Sequence, residues 1–391
     1  MTDWVAEERR YVFQNYGRQP VVLERGEGTR VWDTEGKEYL DFVGGVAVNI
    51  LGHSHPVVAR ALAEQAQTLI HTSNLFYTRP MIELAKLLVE HSCLDRVFFC
   101  NSGTEAVEGA IKLARRWGHD TKNGAFEIIT TVDGFHGRSM GSLAATGNAR
   151  YQEPFGPLLP GFHIVPWNDL DAIKAATTES TVAVMVEPIQ GEGGVNMPAP
   201  GYLQGIRDWC DEKGLLLIFD EVQTGIGRTG SLFAYEQEGV EPDIMTLAKG
   251  LAGGVPIGAV MARDDIAAHL VKGDHGSTFA GGLVVTHVAH HVVSRINQPE
   301  FLASVQAKGK LLMDLLDELN SPHIKEVRGS GLMVGVEMDI DVTPIVNKGY
   351  ERGLLLVSAG PNVLRFVPPL IITEDEIKRT VATVGEILQE V

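Results

Sequence analysis

Short apolar runs alternate with amphipathic stretches through the middle of the chain. Residues 96–100, 127–131, 182–186, 215–219 and 244–247 are strand-sized and mostly apolar, 127–131 least so, and read as buried strands. Between them, residues 105–117 and 200–213 space their apolar positions as helices do. This predicts an α/β layer structure, a mostly parallel central sheet sandwiched by helices, over residues 59–298. The pattern then changes to an α+β mixture over residues 299–391. A long helix is expected at 300–319, strands at 331–338 and 354–357, a helix at 344–352 and a last helix from Glu374. Residues 1–58 hold strand-like stretches at 20–24, 29–33 and 39–42. They are expected to pack with the C-terminal segment as one smaller domain. No internal repeat is visible.

Composition narrows the class. The chain has 391 residues, 44% of them hydrophobic, which is enough for one large core and a smaller one. The formal net charge is −17. Such a surface repels nucleic acid and anionic membranes, so neither is expected as a partner, while a small anionic substrate can still enter a locally basic pocket. Cys93, Cys100 and Cys210 show no CxxC spacing, as in a reduced, cytoplasmic protein. The first ten residues are too polar for a secretory signal. No run approaches the roughly 20 apolar residues of a membrane span.

Four features lie just after strands of the central region, where ligands of parallel sheets bind. Asn101-Ser-Gly-Thr-Glu-Ala106 opens a helix with glycine and hydroxyl residues, a setting for a phosphate as well as for a plain helix cap. Asp220 ends an apolar strand, where an acid needs a cationic partner or a solvated end. Lys249 follows another strand and precedes the glycine-rich stretch Gly250-Leu-Ala-Gly-Gly254. A lysine in an apolar cleft has a depressed pKa and becomes nucleophilic. Gly134-Phe-His-Gly-Arg-Ser139 offers an aromatic face beside an arginine, the residue suited to paired binding of a carboxylate. Each alone has a structural explanation. Together they are the parts that pyridoxal-5′-phosphate (PLP) requires: phosphate donors, an acid for the ring nitrogen, an amine, a stacking ring and a carboxylate binder.

Several decoys carry less. Gly225-Ile-Gly-Arg-Thr-Gly230 matches the dinucleotide fingerprint but lacks the following helix and second strand with its acid. No P-loop is present. His53 and His55 sit before Pro56 without further grouped ligands, and His290-His291 lies in an apolar stretch. No metal is expected.

These stretches resemble the class III (subgroup II) aminotransferases of PLP fold type I, and the acetylornithine aminotransferases above all. Further matches run through Leu51-Gly-His-Ser-His-Pro56, Glu187-Pro-Ile-Gln-Gly-Glu-Gly-Gly194, Asp220-Glu-Val-Gln-Thr224, Gly276-Ser-Thr278 and Arg365-Phe-Val-Pro-Pro369, in the family's order across nearly the whole chain. The resemblance implies that Lys249 carries the cofactor covalently and that Asp220 pairs with its ring nitrogen, both as catalytic residues. It places Gln223 near the ring hydroxyl, Phe135 and Val222 on the two ring faces, and His136 beside them. Ser102, Gly103 and Thr104 would bind phosphate. Thr278 would reach the cofactor of a neighbouring subunit, in a homodimer with shared sites. Arg138 would bind a substrate carboxylate and Glu192 would face Arg365, with Tyr16, Asn74 and Ser277 at the pocket mouth.

Two departures stand out. Ala280-Gly-Gly-Leu283 replaces the family's usual Gly-Gly-Asn-Pro, and Val107 stands where asparagine is usual. The resemblance implies transfer from N2-acetylornithine to 2-oxoglutarate. Ornithine, 4-aminobutyrate, succinylornithine and lysine on an acidic carrier protein remain alternative donors. Where ornithine aminotransferases carry a pocket tyrosine, Gly44-Gly-Val46 has no aromatic, which tilts towards the acylated substrate. A non-enzymatic PLP-fold binding protein is disfavoured by the presence of both Lys249 and Asp220.

Overall fold

The computed structural model describes residues 2–391. A seven-stranded sheet crosses its centre. Its strands are β1 (Arg96–Cys100), β2 (Glu127–Thr131), β3 (Phe162–Val165), β4 (Thr181–Val186), β5 (Leu216–Asp220), β6 (Ile244–Leu247) and β7 (Gly258–Ala262). Their spatial order is β1-β7-β6-β5-β4-β2-β3. Only β7 runs against its neighbours; the other six point one way. Every residue of β4, β5 and β6 is buried, because helices cover both faces of a parallel sheet. This is why their sequences are apolar without alternation. The carboxyl ends of the six strands meet at one edge. Ser102, Glu187, Asp220 and Lys249 all lie at or within two residues of those ends.

The chain termini are stitched together. Leu23–Glu27, Arg30–Asp33 and Glu38–Asp41 form an antiparallel meander. Leu354–Leu355 joins its last strand in parallel, with Leu354 opposite Leu40. A four-stranded antiparallel sheet, built from Ile324–Ser330, Met333–Met338, Val363–Phe366 and Val357–Ser358, follows the long helix Pro299–Asp317. The last helix, Glu374–Leu388, starts at a reciprocal cap between Thr373 and Glu376. One apolar cluster runs from Phe42 through Phe219 and Met245 to Leu364 and Phe366. The core is therefore continuous between the central sheet and the terminal segments.

The stretch Gly225–Gly230 is a buried joint in that core. Arg228 is fully buried and donates from Nη1 to Leu332 O (2.8 Å) and Pro368 O (2.7 Å). With no carboxylate beside it among the described residues, burial pushes its pKa down to about 9, so it stays cationic at neutral pH. Gly331 must be glycine here. A Cβ would stand 2.5 Å from the Thr229 carbonyl carbon, and its φ is +53°.

His53 and His55 have local roles. His53 Nε2 lies 2.7 Å from Asp41 Oδ2, and His55 Nδ1 accepts from Val57 N at the start of helix Pro56–Thr68.

Candidate active site

A cavity of about 450 Å³ opens at the carboxyl edge of the sheet. One end of it is the first turn of the helix Gly103–Thr121. Ser102 caps that turn by accepting from Glu105 N (3.3 Å). Glu105 folds back to accept from Asn101 N (2.6 Å) and Asn101 Nδ2 (2.9 Å). Gly103 is required because a Cβ would sit 2.8 Å from Val222 Cγ1. Without it the helix start could not close against the strand end. Thr104 Oγ1 lies 2.6 Å from Ser142 Oγ and accepts from Ser139 N.

Asp220 forms the floor. Its Oδ1 accepts from Thr246 Oγ1 (2.9 Å) and Val222 N (3.1 Å), and its Oδ2 lies 2.8 Å from His136 Nδ1. Burial alone would depress His136, but the bond and charge of Asp220 outweigh it and raise its pKa. His136 Nε2 is buried and has no partner among the described residues. Behind it, Glu187 accepts from Phe135 N (2.9 Å) and Gly191 N (3.2 Å). Burial pushes Glu187 up to about 7, against the pull of His136.

Lys249 stands on a strained backbone with φ of 39°. Its Nζ is 3.8 Å from Glu192 Oε1. Burial lowers its pKa, partly offset by Glu192 and reinforced by Arg365. Arg365 is 1% exposed. It donates from Nη1 to Glu192 Oε1 (2.7 Å), Gly191 O (3.0 Å) and Gln223 Oε1 (3.1 Å), and from Nη2 to Glu192 Oε2 (3.3 Å). Gln223 Nε2 donates to Glu192 Oε1 (3.1 Å). Burial opposes the Glu192 charge, yet Arg365 and Lys249 hold its pKa down at about 2.

Arg138 lies at the mouth. Its guanidinium stacks 3.5 Å from the Tyr151 ring centroid and 5.5 Å from that of Phe135. No carboxylate lies within ion-pair distance of it among the described residues. Phe135, His136, Val222 and Gln223 all line the cavity.

Six expected residues do not line this cavity in the single chain: Glu192 and Arg365, which adjoin it through Lys249 and Gln223, and four more. Tyr16 is exposed on the N-terminal segment beside Arg18. Asn74 Nδ2 donates to Ala280 O (2.9 Å). Ser277 Oγ accepts from Asn101 Nδ2 (3.0 Å); both Asn74 and Ser277 line a neighbouring depression. Thr278 is exposed. Its loop enters helix Leu283–Ile296 through Gly282, with no side-chain cap. Sequence reasoning missed Glu187 as an individual residue, as well as Thr246 and Tyr151.

The family model for class-III aminotransferases matches residues 11–388. The chain belongs to the class-III aminotransferases. It is 50% identical over 388 residues to an acetylornithine aminotransferase of Caldanaerobacter subterraneus, covering 98% of each. It superposes on the ornithine aminotransferase of Toxoplasma gondii with a TM-score of 0.96 at 38% identity, covering 100% of this chain and 94% of that one. That enzyme's active site is described with PLP at partial occupancy. The N-acetylornithine aminotransferase of Stenotrophomonas maltophilia superposes with a TM-score of 0.85 at 38% identity, covering 99% of this chain and 98% of that one. As a class-III aminotransferase, this chain has the type I fold and is a PLP-dependent transaminase. Its own residues fit the cofactor. One cavity offers a helix N-terminus for a phosphate, a carboxylate fixed by three hydrogen-bond partners for a ring cation, and a primary amine with a lowered pKa.

Proposed function

We propose that this transaminase moves the terminal amino group of N2-acetylornithine to 2-oxoglutarate, yielding the semialdehyde and glutamate, as in arginine biosynthesis. The observation that carries the proposal is the closed Glu192–Arg365 pair together with an Arg138 that has no carboxylate partner among the described residues. Acetylornithine carries one carboxylate, far from its reacting carbon. Glutamate carries two, one on each side. A site with one neutralised cation and one that is unpaired among the described residues can serve both.

When bound, PLP supplies a carbon that takes the amino group and a protonated ring that draws electrons from it. Lys249 Nζ, its pKa lowered by burial, takes the proton from the substrate carbon that bears the amine and gives one back in the reverse half. Asp220, oriented by His136, Thr246 and Val222 N, would pair with the protonated ring nitrogen. The helix start at Ser102, Gly103 and Thr104 would hold the phosphate. Phe135, Val222 and Gln223 line the cavity; the first two would hold the ring and Gln223 would bond its hydroxyl.

Three further assignments belong to this reading. Residues 1–58 and 299–391 act as one smaller unit against 59–298. The enzyme is a cytoplasmic homodimer; in support, Leu75, Phe76 and Tyr77 are consecutive and 85%, 67% and 95% exposed, a patch suited to a second copy. Among the described residues no helix is long and apolar enough to cross a membrane. Thr278, outside its own chain's cavity, serves the partner's.

The same chemistry on ornithine is the second reading, favoured by the TM-score of 0.96 to an ornithine aminotransferase. Against it, the backbone from Gly44 to Ala47 holds positive φ throughout and carries no aromatic. A donor screen against 2-oxoglutarate, read as glutamate formed, decides between them. Acetylornithine is expected to exceed ornithine by at least about tenfold in kcat/KM. Equal or reversed efficiencies would overturn the assignment.

A further inference from the structure

Helices Pro56–Thr68 and Leu283–Ile296 lie side by side, away from the cavity that binds substrate. His287 and His291 are one turn apart on the second helix, so both imidazoles stand on one face. Their rings are crossed at 82° with centroids 4.7 Å apart. Glu64 meets them from the first helix, its Oε2 3.9 Å from His287 Nε2. One nitrogen from each histidine and one Glu64 oxygen all lie within 4.8 Å of one another. His287 Nε2 is hidden from solvent and has no hydrogen-bond partner among the described residues. A simple ion pair does not account for this arrangement. The 3.9 Å separation is about 1 Å longer than a charge-assisted hydrogen bond.

We propose that Glu64, His287 and His291 bind one divalent transition-metal ion of the zinc class. Tetrahedral coordination with bonds of about 2.1 Å places ligand atoms about 3.4 Å apart. The cluster reaches that spacing by side-chain rotation, since Glu64 is exposed and free to turn inward. Two imidazoles and a carboxylate with water as the fourth ligand suit zinc, cobalt or nickel. They do not suit calcium or magnesium, which take oxygen ligands. The net charge of −17 favours any cation at the surface, but only the imidazole pair selects this class. The sequence points to His290-His291 as a structural pair, whereas it is His287 that supplies the helical spacing a metal needs. An ion here ties helix Pro56–Thr68 to the helix that follows the loop of Ser277 and Thr278. The site is independent of the proposed amino donor.

The test uses the holoenzyme stripped of metal by a chelator and titrated with Co²⁺, then Zn²⁺. One equivalent of Co²⁺ per chain is expected to give the strong visible d–d bands of a four-coordinate site. Zn²⁺ is expected to displace it and to raise Tm. His287→Ala with His291→Ala should abolish the bands. Glu64→Gln, a conservative change at an exposed position, should weaken binding by at least about tenfold. Turnover should be unchanged in all of them, which reports that they fold. Cys93→Ser excludes a thiol ligand. The proposal is overturned if the native protein binds Zn²⁺ no more tightly than about 10 μM, or if the histidine variant keeps its Co²⁺ bands.

Discussion

Arg365 Nη1 lies 2.7 Å from Glu192 Oε1, and Gln223 bonds to both side chains. The guanidinium is almost wholly buried, while the Glu192 side chain is 30% exposed. A buried arginine left alone would be costly. In the proposed reading Glu192 neutralises it until a substrate carboxylate takes its place, Glu192 being the more exposed partner.

Separating the two half-reactions tests this exchange. Arg365→Ala should slow the glutamate half by about 10- to 100-fold, the worth of a charge-assisted hydrogen bond. The acetylornithine half should change little. Glu192→Ala should do the reverse, sparing glutamate and weakening acetylornithine. Single-turnover absorbance of each half, donor by donor, reads the difference. Equal losses in both halves for Arg365→Ala would exclude the exchange.

The same pair makes a prediction about acid. Glu192 is held at about 2, against an ordinary 4.5. A carboxylate depressed in the folded state contributes stability above its unfolded pKa, and that stability is lost as pH falls from about 4.5 towards 2. The difference amounts to at most about 3 kcal/mol. Glu192→Gln lacks this titration. Between pH 5 and pH 3 the urea midpoint of the native enzyme should fall further than that of the variant. Parallel curves would show that the pair holds no such stability.

Lys249→Ala should bind PLP weakly and lose turnover by about 10³-fold or more, because one residue both anchors the cofactor and moves the proton. Exogenous amines small enough for the vacated space should restore part of the rate. Near-native transamination by Lys249→Ala would remove the basis of the proposed mechanism.

Much of this was readable before the structure, for physical reasons. β1, β2 and β6 match the predicted stretches residue for residue: β6 is wholly buried, β2 is buried from Ile128 onward, and β1, although an edge strand, carries the apolar run Val97-Phe-Phe-Cys100 with its last two residues buried. β7 escaped because Gly258 and Ala259 leave a weak run, and because it inserts antiparallel between β1 and β6. β3 escaped because it is an edge strand, half exposed, with His163 in it. Asp220 and Lys249 were legible as charges at apolar strand ends. Glu187 and Thr246 were not, since their meaning lies in contacts 52 and 26 residues away in sequence. Tyr151 likewise becomes visible only as the ring beneath Arg138.

Arg138 stacks on Tyr151 at the cavity mouth, and in the proposed reading its charge serves a substrate carboxylate. Arg138→Ala should damage both half-reactions, chiefly in KM, by about 10- to 100-fold. Arg138→Lys should rescue little, because an ammonium neither stacks as a plane nor binds a carboxylate with two parallel bonds. A loss confined to one half-reaction would move the distant-carboxylate site elsewhere.

Asp220 and His136 should separate into acting and positioning groups. Asp220→Ala removes the charge that keeps a ring nitrogen protonated. It should cut kcat by about 10²- to 10⁴-fold in both halves while leaving cofactor binding detectable. His136 is different, because it touches Asp220 through one bond only. In His136→Ala the carboxylate is still held by Thr246 Oγ1 at 2.9 Å and Val222 N at 3.1 Å. The loss should be about tenfold in kcat with KM little changed. Thr246→Val, which removes another of the three bonds, should resemble His136→Ala, and the double variant should approach Asp220→Ala because the carboxylate is then free to turn. The buried imidazole also carries a raised pKa set by Asp220, so His136→Ala should move a limb of the pH–rate profile that Thr246→Val leaves in place. If His136→Ala alone falls as far as Asp220→Ala, the imidazole is itself part of the reacting centre and the positioning role is wrong.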